Sequence, residues 1–156
     1  MAIEIERKFL VSSLEFKKDA HLNSRIKQGF LNRDPMRTVR VRLKNQSGFL
    51  TVKGQSSENG MSRYEWEKEI SKVDAESLLI LCEEGTIDKT RYEISIGKHL
   101  FEVDEFHGDN SGLIIAEVEL NTVDETFKKP DWLGEEVTGN PKYYNSELSK
   151  NPFATW

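Results

Sequence analysis

The chain alternates between apolar and charged positions over most of its 156 residues. Such a period of two marks a strand with two chemically different faces. Eight segments show it: 3–11, 25–32, 38–44, 49–54, 62–70, 87–96, 100–106 and 113–120. Asn45-Gln46-Ser47-Gly48 and Gly97-Lys98 fall between consecutive alternating runs and read as hairpin turns. Seven or eight strands at this spacing predict an α+β protein dominated by β structure, built as a largely antiparallel barrel or sandwich.

Three segments break the alternation. Asp74 is placed to cap a helix that carries Ala75, Leu78, Leu79 and Leu81 and ends near Gly85. Residues 124–128 read as a short helix stopped by Pro130. Asn140-Pro141 opens a third helix over 142–149, with proline at its first position. The Ser-, Glu- and Gly-rich stretch 54–60 reads as a mobile loop. With no repeat and no linker, residues 1–156 are expected to form a single domain.

The polar faces of the strands are where the chain is unusual. Glu4, Glu6 and Lys8 share one face of the first strand, with Ile3, Ile5 and Phe9 opposite. Arg40, Arg42 and Lys44 oppose Val39, Val41 and Leu43, and Lys53 sits with Thr51 against Leu50 and Val52. Arg63, Glu65, Glu67 and Glu69 lie opposite Tyr64 and Trp66. Lys89, Arg91 and Glu93 share a face, as do Glu102 and Asp104, and Glu117 and Glu119.

Solvated faces of half-buried antiparallel strands would show the same alternation. Here, however, the charges are sorted into acidic pairs and basic pairs, and arginine suits phosphate oxygens because its planar donor fork stays charged. Turned inward around a closed barrel, they would line a wet channel or hold a polyanion with its cations, since a dry core could not carry so many ions. Carboxylates for a hard cation beside bases for phosphates form the inventory of phosphoryl transfer from a polyphosphate.

The net charge of −5 and pI near 5.3 leave no basic footprint for duplex nucleic acid. No apolar run approaches a membrane span, and the N-terminus lacks the regions of a signal peptide, so a cytoplasmic location is expected. The single cysteine, Cys82, reads as a buried or half-buried thiol rather than a nucleophile. His21, His99 and His107 read as loop or strand-end residues outside catalysis.

Taken in order, these motifs resemble the CYTH family of triphosphate tunnel metalloenzymes. The resemblance begins at Glu4-Ile5-Glu6-Arg7-Lys8 and continues through Val39-Arg40-Val41-Arg42, Thr51-Val52-Lys53-Gly54 and Ser62-Arg63-Tyr64-Glu65-Trp66-Glu67. It runs on through Asp88-Lys89-Thr90-Arg91-Tyr92, Phe101-Glu102-Val103-Asp104 and Ala116-Glu117-Val118-Glu119-Leu120 to Gly134-Glu135-Glu136-Val137-Thr138 and Tyr143-Tyr144-Asn145. It implies an eight-stranded antiparallel closed barrel, a tunnel with charged faces inside, helices packed outside and a C-terminal plug helix.

By that resemblance Glu4, Glu6, Asp104, Glu117 and Glu119 would hold Mg²⁺ or Mn²⁺, or orient its water. Lys8, Arg40, Arg42, Lys53, Arg63, Lys89 and Arg91 would grip the phosphates. Glu65 and Glu67 would be secondary tunnel acids, and Glu6 or Glu119 would take the proton of the attacking water. The sequence departs from the pattern at Asn140 and Tyr144, where some relatives carry an acid and a lysine, which leaves Lys142 as a candidate plug lysine.

The expected reaction is metal-dependent hydrolysis of inorganic tripolyphosphate to pyrophosphate and phosphate. Rivals are a class IV-type adenylate cyclase, a thiamine or nucleoside triphosphatase, and a non-catalytic polyphosphate-binding module. The expected partner is a small-molecule triphosphate, with no nucleic acid and no membrane, and the protein is expected to be a monomer or homodimer.

Overall fold

The computed structural model describes residues 3–156. In chain order the elements are β1 (Ile3–Val11), α1 (Phe16–Asp19), β2 (Leu22–Asn32), β3 (Arg37–Lys44), β4 (Ser47–Gly54) and β5 (Ser62–Ile70). There follow α2 (Lys72–Leu81), β6 (Ile87–Ile96), β7 (His99–Phe106), β8 (Ile114–Glu119), β9 (Leu133–Glu136) and α3 (Asn145–Leu148). All strand pairs are antiparallel, in the order β5-β4-β3-β2-β6-β7-β8-β1. Pairing of β1 with β5 through Ile3–Ile5 closes the ring into an eight-stranded barrel. The short β9 lies on the same edge of β1 further along, from Phe9 to Val11.

The barrel is inverted relative to an ordinary one. Its main apolar core lies outside, where Phe9, Phe101, Val103, Ala116 and Val118 pack against Phe16 of α1 and Trp132. A second cluster fills one end of the inside. Ile87, Phe106 and Ile115 lie in phase with the charged residues of their strands, and Leu148 of α3 inserts among them, with Leu10 at the margin. One end of the tunnel is therefore stopped by apolar side chains, and α3 is the expected plug, though shorter than predicted. A 3-10 turn over Pro141–Tyr143, capped by Asn140 accepting from the Lys142 amide, takes the first part of the expected helix.

The other helices also differ from expectation. Ser71, not Asp74, caps α2: its hydroxyl accepts from the Asp74 amide at 3.0 Å, and Asp74 falls in the first turn, where a negative charge suits the helix dipole. The helix stops at Leu81. It packs tightly on the sheet at Gly48, where a Cβ would come within 2.6 Å of the Ala75 Cβ. Residues 124–128 form no helix. Phe127 there packs edge-on to Phe9 and Phe101, and Glu125 bonds His99 and the Asn121 amide, contacts that an extended path satisfies. The β3–β4 turn is tighter than read, with Asn45 in the left-handed region at φ 53° between Lys44 and Ser47. Stretch 54–60 is a loop, tied by Ser57 and Asn59 side chains to each other and to the Ser62 and Met61 amides.

Candidate active site

Four strands present their inward residues in the same order from stopper to mouth. These are Leu10, Lys8, Glu6, Glu4 on β1; Ile87, Lys89, Arg91, Glu93 on β6; Phe106, Asp104, Glu102 on β7; and Ile115, Glu117, Glu119 on β8. The register places Lys8 opposite Glu117 and Glu6 opposite Glu119. A lumen of about 190 Å³ results, whose lining includes Glu4, Glu6, Lys8, Arg40, Arg42, Lys53, Arg63, Glu65, Glu67, Lys89, Arg91, Glu102, Glu117 and Glu119. Every predicted site residue except Asp104 borders it. The carboxylates occupy an arc over β7, β8, β1 and β5, and the bases concentrate on β3, β4 and β6. Between β3 and β6, β2 contributes only uncharged inward residues, Ser24, Ile26, Gln28 and Phe30, over which the flanking arginines and lysine extend.

The ion pairs follow those arcs. Asp104 is 2% exposed and holds Arg91 through two hydrogen bonds of 2.8 and 3.0 Å and Lys89 at 2.8 Å. Lys53 donates to Glu4 at 3.0 Å and lies 3.4 Å from Glu65. Thr51, fully buried, donates to Glu67 at 2.7 Å and accepts from Arg40 at 3.2 Å. Among the described residues the one carboxylate oxygen that Arg40 and Arg42 reach is the same oxygen of Glu67, at 3.5 and 3.4 Å, and the buried Nε of each has no partner. Asn145 of α3 accepts from both Lys89 and Gln28 at 3.0 Å.

A family comparison agrees with this geometry: the CYTH domain profile matches residues 2–152. The chain belongs to the CYTH domain family. It is 48% identical over 154 residues to the inorganic triphosphatase of Acetivibrio thermocellus, covering 98% of this chain and 97% of that one. It is 38% identical over 152 residues to the inorganic triphosphatase of Nitrosomonas europaea, covering 94% and 96%. Among solved structures, that of the inorganic triphosphatase NE1496 superposes with a TM-score of 0.66 at 34% identity, covering 94% of this chain and 97% of that one.

Within this CYTH tunnel, burial and neighbouring charges oppose each other on some groups and reinforce each other on others. Burial raises Glu6 well above the usual carboxylate range, and neighbouring Glu117 and Glu4 add to the effect. Burial would also raise Glu117, but Lys8 and a hydrogen bond from Glu6 pull it down, so Glu6 carries the proton of that pair. Glu65 is pushed up to about 7 by burial and by its hydrogen bond to Glu4. Against its own burial, Glu4 is brought down to about 2 by Lys53, that same bond and Arg63. Glu119 is raised by burial and by Glu4. On the basic side, burial and then Arg40 and Arg91 lower Arg42 to about 10, and burial with Arg91 lowers Lys89 to about 8 despite Asp104. Arg40 is lowered by burial and by Arg91.

The oxygen donors suit a hard divalent cation. Among the described residues no three acids converge closely enough to hold one alone. That arrangement fits an ion such as Mg²⁺, which takes one or two carboxylates and completes its shell with water and phosphate oxygens. The crowding of Glu6 on Glu117 is what such a cation would relieve.

Several lining residues are absent from the expected set. Glu102 shares the inward phase of Asp104 and was legible in the alternation. Thr38 and Asn145, being uncharged, carry no sign in a charge pattern. Lys142 lies outside the lumen lining, with its Nζ 3.9 Å from the centre of the Trp156 ring, and Tyr144 is among the lining residues instead. His107 bonds Thr90 and His99 bonds Glu125, both away from the lumen. The Cys82 thiol, raised by burial, donates to the Leu78 carbonyl. No helix among the described residues is long and apolar enough to cross a membrane.

Proposed function

We propose that this chain hydrolyses inorganic tripolyphosphate to pyrophosphate and phosphate in its tunnel, with a divalent cation. One observation carries the reading: Arg40 and Arg42 lie side by side in the lumen wall, 15% and 12% exposed, with one Glu67 oxygen as their shared carboxylate partner. Two largely desolvated cations on one carboxylate leave positive charge for a polyanion to neutralise. Seven acids accompany seven bases around the lumen, more carboxylate than a pure anion-binding module needs. That balance supports the enzyme over the binding module.

Lys8, Arg40, Arg42, Lys53, Arg63, Lys89 and Arg91 bind and orient the phosphoryl groups and stabilise charge spread over their oxygens. Glu4, Glu6, Glu117 and Glu119 are the residues that would hold Mg²⁺ or Mn²⁺. Such a cation, when bound, supplies Lewis-acid polarisation of phosphate oxygens and a more acidic water. Asp104, committed to Arg91 and Lys89, positions those two bases. Glu67 does the same for Arg40 and Arg42, and Glu65 shares a proton with Glu4. Glu119, opposite Glu6, is the proton acceptor for the attacking water, since burial and Glu4 make it a stronger base than an ordinary carboxylate; Glu6 would take that role only after giving up the proton it carries beside Glu117.

Among the described residues the lumen has no apolar cleft for a nucleobase or a thiazolium ring: beside its polar lining they supply only Phe30 and Tyr144. An inorganic chain fits better than ATP or thiamine triphosphate. Side-by-side assays of tripolyphosphate, ATP and thiamine triphosphate with Mg²⁺ and Mn²⁺ test this. The expected result is the highest kcat/KM on tripolyphosphate. Preferred turnover of ATP, or formation of cyclic AMP with pyrophosphate, would move the assignment to a nucleotide enzyme.

A further inference from the structure

The ring of Tyr144 lines the lumen beside β1 and β5. Lys8 Nζ lies 5.1 Å from its centre and the Arg63 guanidinium carbon 5.9 Å. Beside the ring is a second chamber of about 10 Å³, enough for one water, bordered by Ser56, Gly60 and Met61 and reached by the bases Lys8 and Arg63 and the acids Glu4 and Glu6. It lies at the seam of the barrel. Here β1 has left β5 after Ile5 and does not meet β9 until Phe9. The gap is bridged by the Glu6 amide donating to the Met61 carbonyl and the Lys8 amide donating to Thr138 Oγ1, both at 2.9 Å.

The wall of this chamber is fixed by a backbone contact. A Cβ on Gly60, at φ 73°, would lie 2.2 Å from the Gly139 Cα and 3.4 Å from Tyr144 Oη. Loop 55–61 and the segment leading to Tyr144 are thus pressed together, and the ring has no room to swing into the loop.

We propose that Tyr144 is the stop that sets how long a polyphosphate chain the lumen accepts. This rests on the polyphosphate reading above. The π face that attracts Lys8 and Arg63 repels phosphate oxygens, so the ring keeps both cations in place while ending the row of phosphoryl positions. Removing it joins the chamber to the lumen and frees two basic side chains at the point where a fourth phosphoryl group would lie.

The test compares tripolyphosphate with linear tetrapolyphosphate on wild type, Tyr144→Ala, Tyr144→Leu and Tyr144→Phe. Two readouts are taken: kcat/KM with Mg²⁺, and the rise in Tm that each anion gives in chelator. The preference for tetrapolyphosphate should rise about tenfold in Tyr144→Ala and Tyr144→Leu, a typical scale for steric discrimination, and stay at the wild-type ratio in Tyr144→Phe. An unchanged ratio in both truncations, with the two anions weakened equally, overturns the proposal and leaves Tyr144 a packing residue. If wild type binds both anions and cleaves neither, the hydrolase reading falls, while the ratio of Tm shifts still decides the stop.

Discussion

Lys89 is buried beside Asp104, Arg91 and Asn145, and burial holds it at about 8, below its ordinary 10.5. Between those two values the unfolded chain binds more protons than the folded one, so this group makes stability rise with pH across that window. Its effect on function runs the other way. As pH rises through about 8 the free enzyme loses a cation that grips phosphate, and kcat/KM should fall. Lys89→Arg keeps the charge and should move that basic limb to higher pH; a pH profile of kcat/KM for both proteins checks it. Arg42→Ala removes one of the two guanidiniums that share a single Glu67 oxygen and should lower kcat/KM by about 100-fold or more, the scale of losing one preorganised donor. Glu4→Gln and Glu119→Gln should abolish metal-dependent turnover while circular dichroism and Tm show a folded barrel. Full activity in those variants would remove both glutamates from the cation site.

At the scale of the element, α3 joins stability to the site. Leu148 is 1% exposed among Ile87, Phe106 and Ile115, and three residues before it Asn145 holds Lys89 and Gln28. Leu148→Ala should cost about 2–5 kcal/mol by denaturant unfolding. Asn145→Ala, which leaves Lys89 and Gln28 short of an acceptor, should raise KM for the triphosphate more than it alters Tm. The strands bearing the site were legible because alternation is a local signal, and Glu4, Arg40, Lys89 and Glu117 each declare their face within a few residues. The stopper was less so: Ile87, Phe106 and Ile115 keep the inward phase but change from charged to apolar, which a single strand cannot distinguish from its end. The four-residue β9 and the extended path at 124–128 depend on partners far along the chain, Phe9 and Val11 for one, Phe9 and Phe101 for the other. Asp104 shows the same limit at a side chain. Its inward phase is readable, but its commitment to Arg91 and Lys89 needs the register between β6 and β7.

Across the whole molecule, polar and apolar faces exchange their usual places. The apolar sides of the strands are covered from outside by α1, α2 and the segment around Phe127 and Trp132, and the charged sides enclose the lumen. Opposite charges satisfy most of that interior, and the two arginines of β3, which share one Glu67 oxygen, are left with positive charge to spare. A net charge of −5 therefore coexists with a site built for a polyanion, because the sign that matters is local. The most direct test is to follow release of phosphate and pyrophosphate from tripolyphosphate by the wild-type protein as Mg²⁺ or Mn²⁺ is titrated against chelator. Turnover that is absent in chelator and rises with the cation, giving equal amounts of phosphate and pyrophosphate, is the predicted result. Tripolyphosphate that binds but is not cleaved at any concentration of either cation would contradict it.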